Sequence, residues 1–142
     1  MAKQNVIDAN VTLGLFLRLP YSKNVDDWMR ERQIEEASLV VPTLWEYECL
    51  TGFRRAVALG LISSADAEQL MGDLLGLEFK RVAPTLELHH AALYWAERLG
   101  QSKANDAHYL ALAESLSAEF WTADQRLVRG LQGSEVNWVH AV

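Results

Sequence analysis

The stretch Lys103–Leu127, KANDAHYLALAESLSAEFWTADQRL, reads as a helix that hands over directly to a short strand. Leu110, Ala113 and Leu116 follow Asp106 at intervals of three to four residues, so Asp106 stands at one end of a stripe that faces a core. The apolar Phe120-Trp121 is left through Thr122-Ala123-Asp124. Open α/β sheets place their chemistry at the carboxyl ends of their strands. Two acids, Asp106 and Asp124, are therefore expected at one edge of a sheet.

Working outward, the same grammar recurs at the start of the chain. Asn5-Val6-Ile7 runs into Asp8-Ala9-Asn10 and then into the apolar Val11–Leu17, which reads as strand, turn acid and helix. Asp8 reads as an N-cap of that helix or as a strand-end acid for chemistry, and the two roles can coexist with Asn10 as the cap; both residue types cap well. Lys23–Glu36 suits a helix with a modest buried face, and Ala37–Val41 suits a buried strand stopped by Pro42. A long helical segment follows over Thr43–Leu59 and carries two acids with different expectations. Thr43 and Glu46 have capping-box spacing, a structural job. Glu48 shares a helix side with Thr51, Gly52 and Arg55, opposite Cys49, Leu50, Phe53 and Val57. That side reads either as a site wall or as an ordinary solvated face.

Ser63–Leu75 forms the second arm of a helical hairpin, Glu78–Val82 a strand, and Leu86–Leu99 a helix closed by Gly100. Val136–Val139 is expected as the last strand, after a Gly130 to Gly133 loop. Adjacent His89 and His90 do not share a helix face and make a poor metal pair. Strands alternating with helices predict a single α/β domain over 1–142, three-layered α/β/α around a short, mostly parallel sheet. The five tryptophans fall on separate elements and read as packing anchors.

Lys+Arg 13 against Asp+Glu 19 leaves a net charge of -6, the opposite of what broad phosphate neutralisation calls for. Either nucleic acid is not the partner, or the acids gather around divalent ions while the bases line the rim. The single cysteine, Cys49, excludes an internal disulfide. No apolar run approaches the roughly 20 residues of a membrane span, and no signal peptide opens the chain. A soluble, cytoplasmic protein with no membrane partner is expected.

Asp8, Asp106 and Asp124 fall where strands end or helices begin, and Glu48 lies early in the helix after the second strand. In a parallel sheet these places share an edge. Four carboxylates cannot stay ionised together in a small volume without a cation, because each raises the pKa of the next. The expected cofactor is Mg²⁺ or Mn²⁺, one or two ions, which need only one or two direct carboxylates plus waters and substrate phosphates. Two such ions about 4 Å apart suit in-line phosphodiester cleavage.

VIDAN at 6–10, PTLWEYE at 42–48, KANDAHYLALA at 103–113 and WTAD at 121–124 together resemble the PIN-domain family, most closely its VapC-like toxin branch. The resemblance covers essentially the whole chain in the right order. It implies that Asp8, Glu48, Asp106 and Asp124 are the catalytic, metal-binding acids, with Asn10 and Thr122 hydrogen-bonded around them. It further implies a metal-dependent endoribonuclease, a homodimer, held inactive by a cognate antitoxin protein. Arg18, Arg54, Arg55, Lys103 and Arg126 are the candidate contacts to the RNA substrate. Two other readings compete. Asp8-Ala-Asn10-Val-Thr12 resembles the opening of haloacid-dehalogenase-like phosphatases, with Asp8 as nucleophile, but Asn10 cannot act as the second acid there. A non-catalytic PIN-like binding module would predict damaged acids, and all four are present.

Overall fold

The computed structural model describes residues 3–142. Five strands, β1 (Gln4–Ile7), β2 (Ser38–Pro42), β3 (Lys80–Val82), β4 (Glu119–Thr122) and β5 (Val139–Ala141), form one sheet in the order β3-β2-β1-β4-β5. Every pairing is parallel; Val6 lies opposite Val40 on one side and Phe120 on the other. Seven helices cover the sheet: α1 (Ala9–Phe16), α2 (Ser22–Ile34), α3 (Leu44–Ala58), α4 (Ser64–Leu75), α5 (Leu86–Leu99), α6 (Asn105–Leu116) and α7 (Gln125–Leu131). The result is the three-layer α/β/α arrangement that the alternating pattern predicts.

Parallel strands must be covered on both faces, and the strand residues show it: Val6, Ile7, Val40, Val41 and Phe120 are fully buried. Because β1 and β4 are central neighbours and point the same way, their carboxyl ends lie side by side. Asp8 follows β1, and its backbone N–H still donates to the Trp121 carbonyl at 3.0 Å, so the ladder runs on into the turn. Trp45 and Trp95 are sealed in the core, whereas Trp121 and Trp138 are half-buried.

Three local expectations are corrected. Thr43 already has helical dihedrals and makes no side-chain cap, so there is no Thr43/Glu46 capping box. Glu46 instead accepts from Arg81 Nε at 2.9 Å, and that guanidinium also bonds the Leu77 and Phe79 carbonyls and lies over the Trp45 ring. Asn10 is not a cap either, because it sits inside the first turn of α1 with its side chain turned toward β4. Finally, Arg126–Arg129 and Gly130 are helical, and the last strand begins at Val139, not Val136. Val136 packs against the core ahead of the strand, and Trp138 packs there too while its carbonyl accepts the Phe120 N–H at 2.8 Å. Gly100, at φ 68°, does close α5 in the left-handed conformation that its residue type permits.

Candidate active site

One hydroxyl organises the carboxyl edge of the sheet. Thr122, fully buried at the end of β4, donates from Oγ1 to Asp8 Oδ2 at 2.9 Å. The same oxygen accepts from Asn10 Nδ2 at 3.1 Å and from the Asp124 backbone N–H at 3.0 Å. Asn10 Oδ1 in turn accepts from the Ala123 N–H at 2.9 Å. Asp8 and Asn10 are thus clamped across more than a hundred residues of sequence. Thr122→Val keeps the shape and removes the hydroxyl, leaving buried groups unpaired. It is expected to cost about 3 kcal/mol of stability, read by denaturant unfolding; a loss under about 0.5 kcal/mol would show that the hub is dispensable.

Glu48, half-buried on the first turns of α3, is held from the opposite side of the site. Tyr109 donates its phenol to Glu48 Oε1 at 2.7 Å. Tyr109 is itself fully buried and stacks on Phe120 with ring centroids 5.8 Å apart. Asp106, in the first turn of α6, accepts from Gln101 Nε2 at 3.2 Å. Neither Tyr109 nor Gln101 was singled out in the sequence. Tyr109 could have been, since it lies three residues after Asp106 and so on the same helix side. Tyr21 also supports the site, donating to the Asn10 carbonyl at 2.7 Å.

The acids Asp8, Glu48 and Asp106 feel one another. Burial, with Asp8 only 7% exposed, raises its pKa from the ordinary 3.8 to about 7; the Thr122 hydrogen bond opposes this, while the charges of Asp106 and Glu48 add to it. Burial likewise raises Glu48, with the Tyr109 hydrogen bond pulling down and Asp106 pushing up. The same burial and the nearby Asp8 lift Tyr21 to about 12, keeping it a neutral donor. Asp124 is placed differently. Its Oδ1 accepts from the backbone N–H groups of Arg126 and Leu127 at 3.0 and 3.3 Å, which caps α7. Its carboxylate lines a neighbouring hollow with Gln101 and Arg126.

A hollow of about 500 Å³ opens over Asp8, Asn10 and Glu48, and Thr51, Gly52 and Arg55 form its α3 wall. The side of α3 expected to be a wall is one. Lys103 lines the same hollow. The other basic candidates lie elsewhere. Arg18 bonds Asp26 at 3.2 Å and the Leu15 carbonyl, and Arg54 borders the groove between α3 and α4.

Among the described residues, no three His, Cys, Asp or Glu side chains converge tightly enough to enclose a metal by themselves. That donor set does not suit zinc, which wants four close ligands rich in nitrogen and sulfur. It does suit Mg²⁺ or Mn²⁺, hard ions that take one or two carboxylates and complete their shell with water. Burial and, after it, the charges of Asp106 and Glu48 make the ionised Asp8 costly, and a bound cation would relieve that cost.

Fold and site together define a class: parallel α/β proteins with a carboxylate-bearing hollow at the carboxyl edge of the central strands. The chain belongs to the PIN domain family, whose profile matches residues 6–130. It is 29% identical over 126 residues to VapC ribonuclease Mb0985 of Mycobacterium bovis, covering 86% of this chain and 87% of that protein. Ribonuclease VapC9 of Mycobacterium tuberculosis matches to the same extent, 29% over 126 residues, 86% of this chain and 87% of its own. Among solved structures, PAE2754 from Pyrobaculum aerophilum superposes with a TM-score of 0.67 at 26% identity, over 94% of this chain and 83% of that one. VapBC2 from Rickettsia felis, bound to a DNA fragment from its promoter, shares the fold with a TM-score of 0.67 at 10% identity, over 98% of each chain. The family suggested by the four sequence motifs is the family of the chain.

Proposed function

We propose that the protein is a Mg²⁺- or Mn²⁺-dependent endoribonuclease and the toxin of a toxin–antitoxin pair, acting in the cytoplasm as a single PIN domain. The observation that carries this reading is Asp8, clamped by Thr122 and pushed toward neutrality first by burial and then by the charges of Asp106 and Glu48. Matched relatives that are themselves named ribonucleases support the reaction class.

Asp8, Glu48, Asp106 and Asp124 are the residues that would hold a divalent ion. When bound, such an ion supplies activation of water and neutralisation of charge on the phosphate and leaving oxygens. The chain's own residues do the positioning. Thr122 fixes the rotamer of Asp8, Tyr109 that of Glu48, and Gln101 that of Asp106. Arg55 and Lys103, on the wall of the same hollow, bind the phosphates that flank the scissile bond. Asn10 is an amide committed to Thr122 and Ala123, which leaves the phosphatase reading without its acid.

Partners follow from the surface. Leu86, Leu93 and Tyr94 on α5 share one helix side and are 65%, 65% and 57% exposed, which supports a homodimer through that face. The groove between α3 and α4, about 460 Å³ and lined by Leu50, Phe53, Val57 and Met71, supports docking of an apolar segment of an antitoxin. A structure titled as a toxin–antitoxin complex from Klebsiella pneumoniae shares the fold, with a TM-score of 0.64. The purified protein is expected to cut single-stranded RNA with Mg²⁺ or Mn²⁺ and to stop on addition of EDTA. Cleavage that persists without metal, or none with either ion, would count against the assignment.

A further inference from the structure

The acidic hollow is one of three that adjoin. A second, about 520 Å³, shares Glu48, Lys103 and Asn105 with it and reaches Gln101 and Asp106. A third, about 390 Å³, shares Gln101 with the second and runs between the end of α5 and α7, where Arg98, Asp124 and Arg126 line it. The three therefore form a continuous track across the carboxyl edge of the sheet. Arg55 lines the first hollow, Lys103 the first and second, and Arg98 and Arg126 the third, while Asp8, Glu48 and Asp106 line the first two and Asp124 the third.

We infer that the hollow between α5 and α7 is a binding subsite for the RNA segment that continues past the scissile phosphate, on the side away from Arg55 and Lys103. This rests on the nuclease reading above. A polyanion crossing an acidic centre must be gripped on both flanks, because only the central phosphate is neutralised by metal. A net charge of -6 makes local cations the source of that grip. Arg126 is exposed and forms no ion pair among the described residues, so its guanidinium is available to a phosphate. Arg98 is partly committed, at 2.7 Å from Glu135 and over the Trp95 ring, which places it as a fixed wall. The hollow is small and lined by charged and apolar side chains alike, of a size for one nucleotide unit and not for a duplex.

Two variants test the subsite by different means. Arg126→Ala removes the cation, and Gly130→Phe plugs the hollow from α7, where an added Cβ meets nothing within 4 Å. Arg30→Ala, on α2 and paired with Asp27, is the control for loss of one surface charge. With Mg²⁺ and a labelled mixed-sequence single-stranded RNA, both subsite variants are expected to raise KM about 3- to 10-fold with kcat within about twofold, the pattern of lost uniform binding. Arg126→Ala should also lower the slope of log affinity against log salt by roughly one, and Arg30→Ala should leave both unchanged. On RNAs shortened from each end in turn, one truncation should erase the difference between wild type and Arg126→Ala. If both variants match Arg30→Ala on every RNA while wild type cuts and Asp8→Asn does not, the subsite is wrong and the nuclease reading stands. If wild type cuts no RNA, or Asp8→Asn cuts as well as wild type, the nuclease reading itself falls and takes the subsite with it.

Discussion

Asp8→Asn is expected to raise the melting temperature of the metal-free protein by roughly 5–10 °C at pH 8 while abolishing RNA cleavage. The folded-state pKa of Asp8, about 7, lies above its ordinary 3.8, so the native state holds this proton more tightly than the unfolded chain. Below pH 4 both states are protonated and the site costs nothing. As pH rises from 4 to 7 the unfolded chain ionises freely while the folded one resists, and stability falls with pH. Above 7 the penalty is complete, with a ceiling of roughly 4 kcal/mol from a shift of this size. Asparagine keeps an acceptor for the Thr122 hydroxyl and carries no charge, so it removes the penalty. The gain must therefore vanish near pH 4, and saturating Mg²⁺ must stabilise wild type more than the variant. Thermal melts of both proteins across pH 4–8, with EDTA and with Mg²⁺, read the whole pattern. A variant that melts at or below wild type at pH 8, or an advantage independent of pH, would show that the acids do not burden one another.

The second large effect separates the acids by position. Asp106→Asn should lower kcat about 10³-fold or more, since one carboxylate at a metal is worth several kcal/mol of charge stabilisation. Asp124→Asn should cost far less, roughly 10-fold. Asparagine is as good an N-cap as aspartate, so α7 stays in place and the protein melts as wild type does. The ranking follows from what each carboxylate does: Asp106 adds to the charge felt by Asp8 and Glu48, whereas an oxygen of Asp124 is spent on two backbone N–H groups. Single-turnover cleavage of a labelled RNA decides it. Equal losses at the two positions would place Asp124 in direct contact with the metal.

Much of this was legible in the residues. The strand–acid–helix pattern at Asn5–Leu17 and the stripe beginning at Asp106 put both acids at the sheet's carboxyl edge, because period and strand polarity are local properties written into short windows. The wheel position of Glu48 beside Thr51, Gly52 and Arg55 left a site wall and a solvated face both open, and those residues line the hollow. What escaped was set by tertiary contact. That Tyr109 serves Glu48 from 61 residues away, and that Gln101 serves Asp106, depends on how α6 and its approach dock on the sheet. The apolar run Val136–Val139 could not say which residues pair and which merely pack, so β5 came out three residues late. Thr43 and Glu46 had the spacing of a cap, but the Val82 carbonyl takes the Thr43 N–H and Arg81 takes Glu46. Among the basic candidates only Arg55 carried a positional signal, its helix side shared with Glu48, and Arg18 and Arg54 lie away from the acids.

The Thr122 hydroxyl sets an order of events for a chain being synthesised. Its partners Asp8 and Asn10 precede it by more than a hundred residues, so they are synthesised well before β4. Until that strand slots in beside β1, the first acid has no anchor and the central strand lacks one neighbour. A nascent chain that holds β1 but not yet β4 is thus without its finished acidic edge.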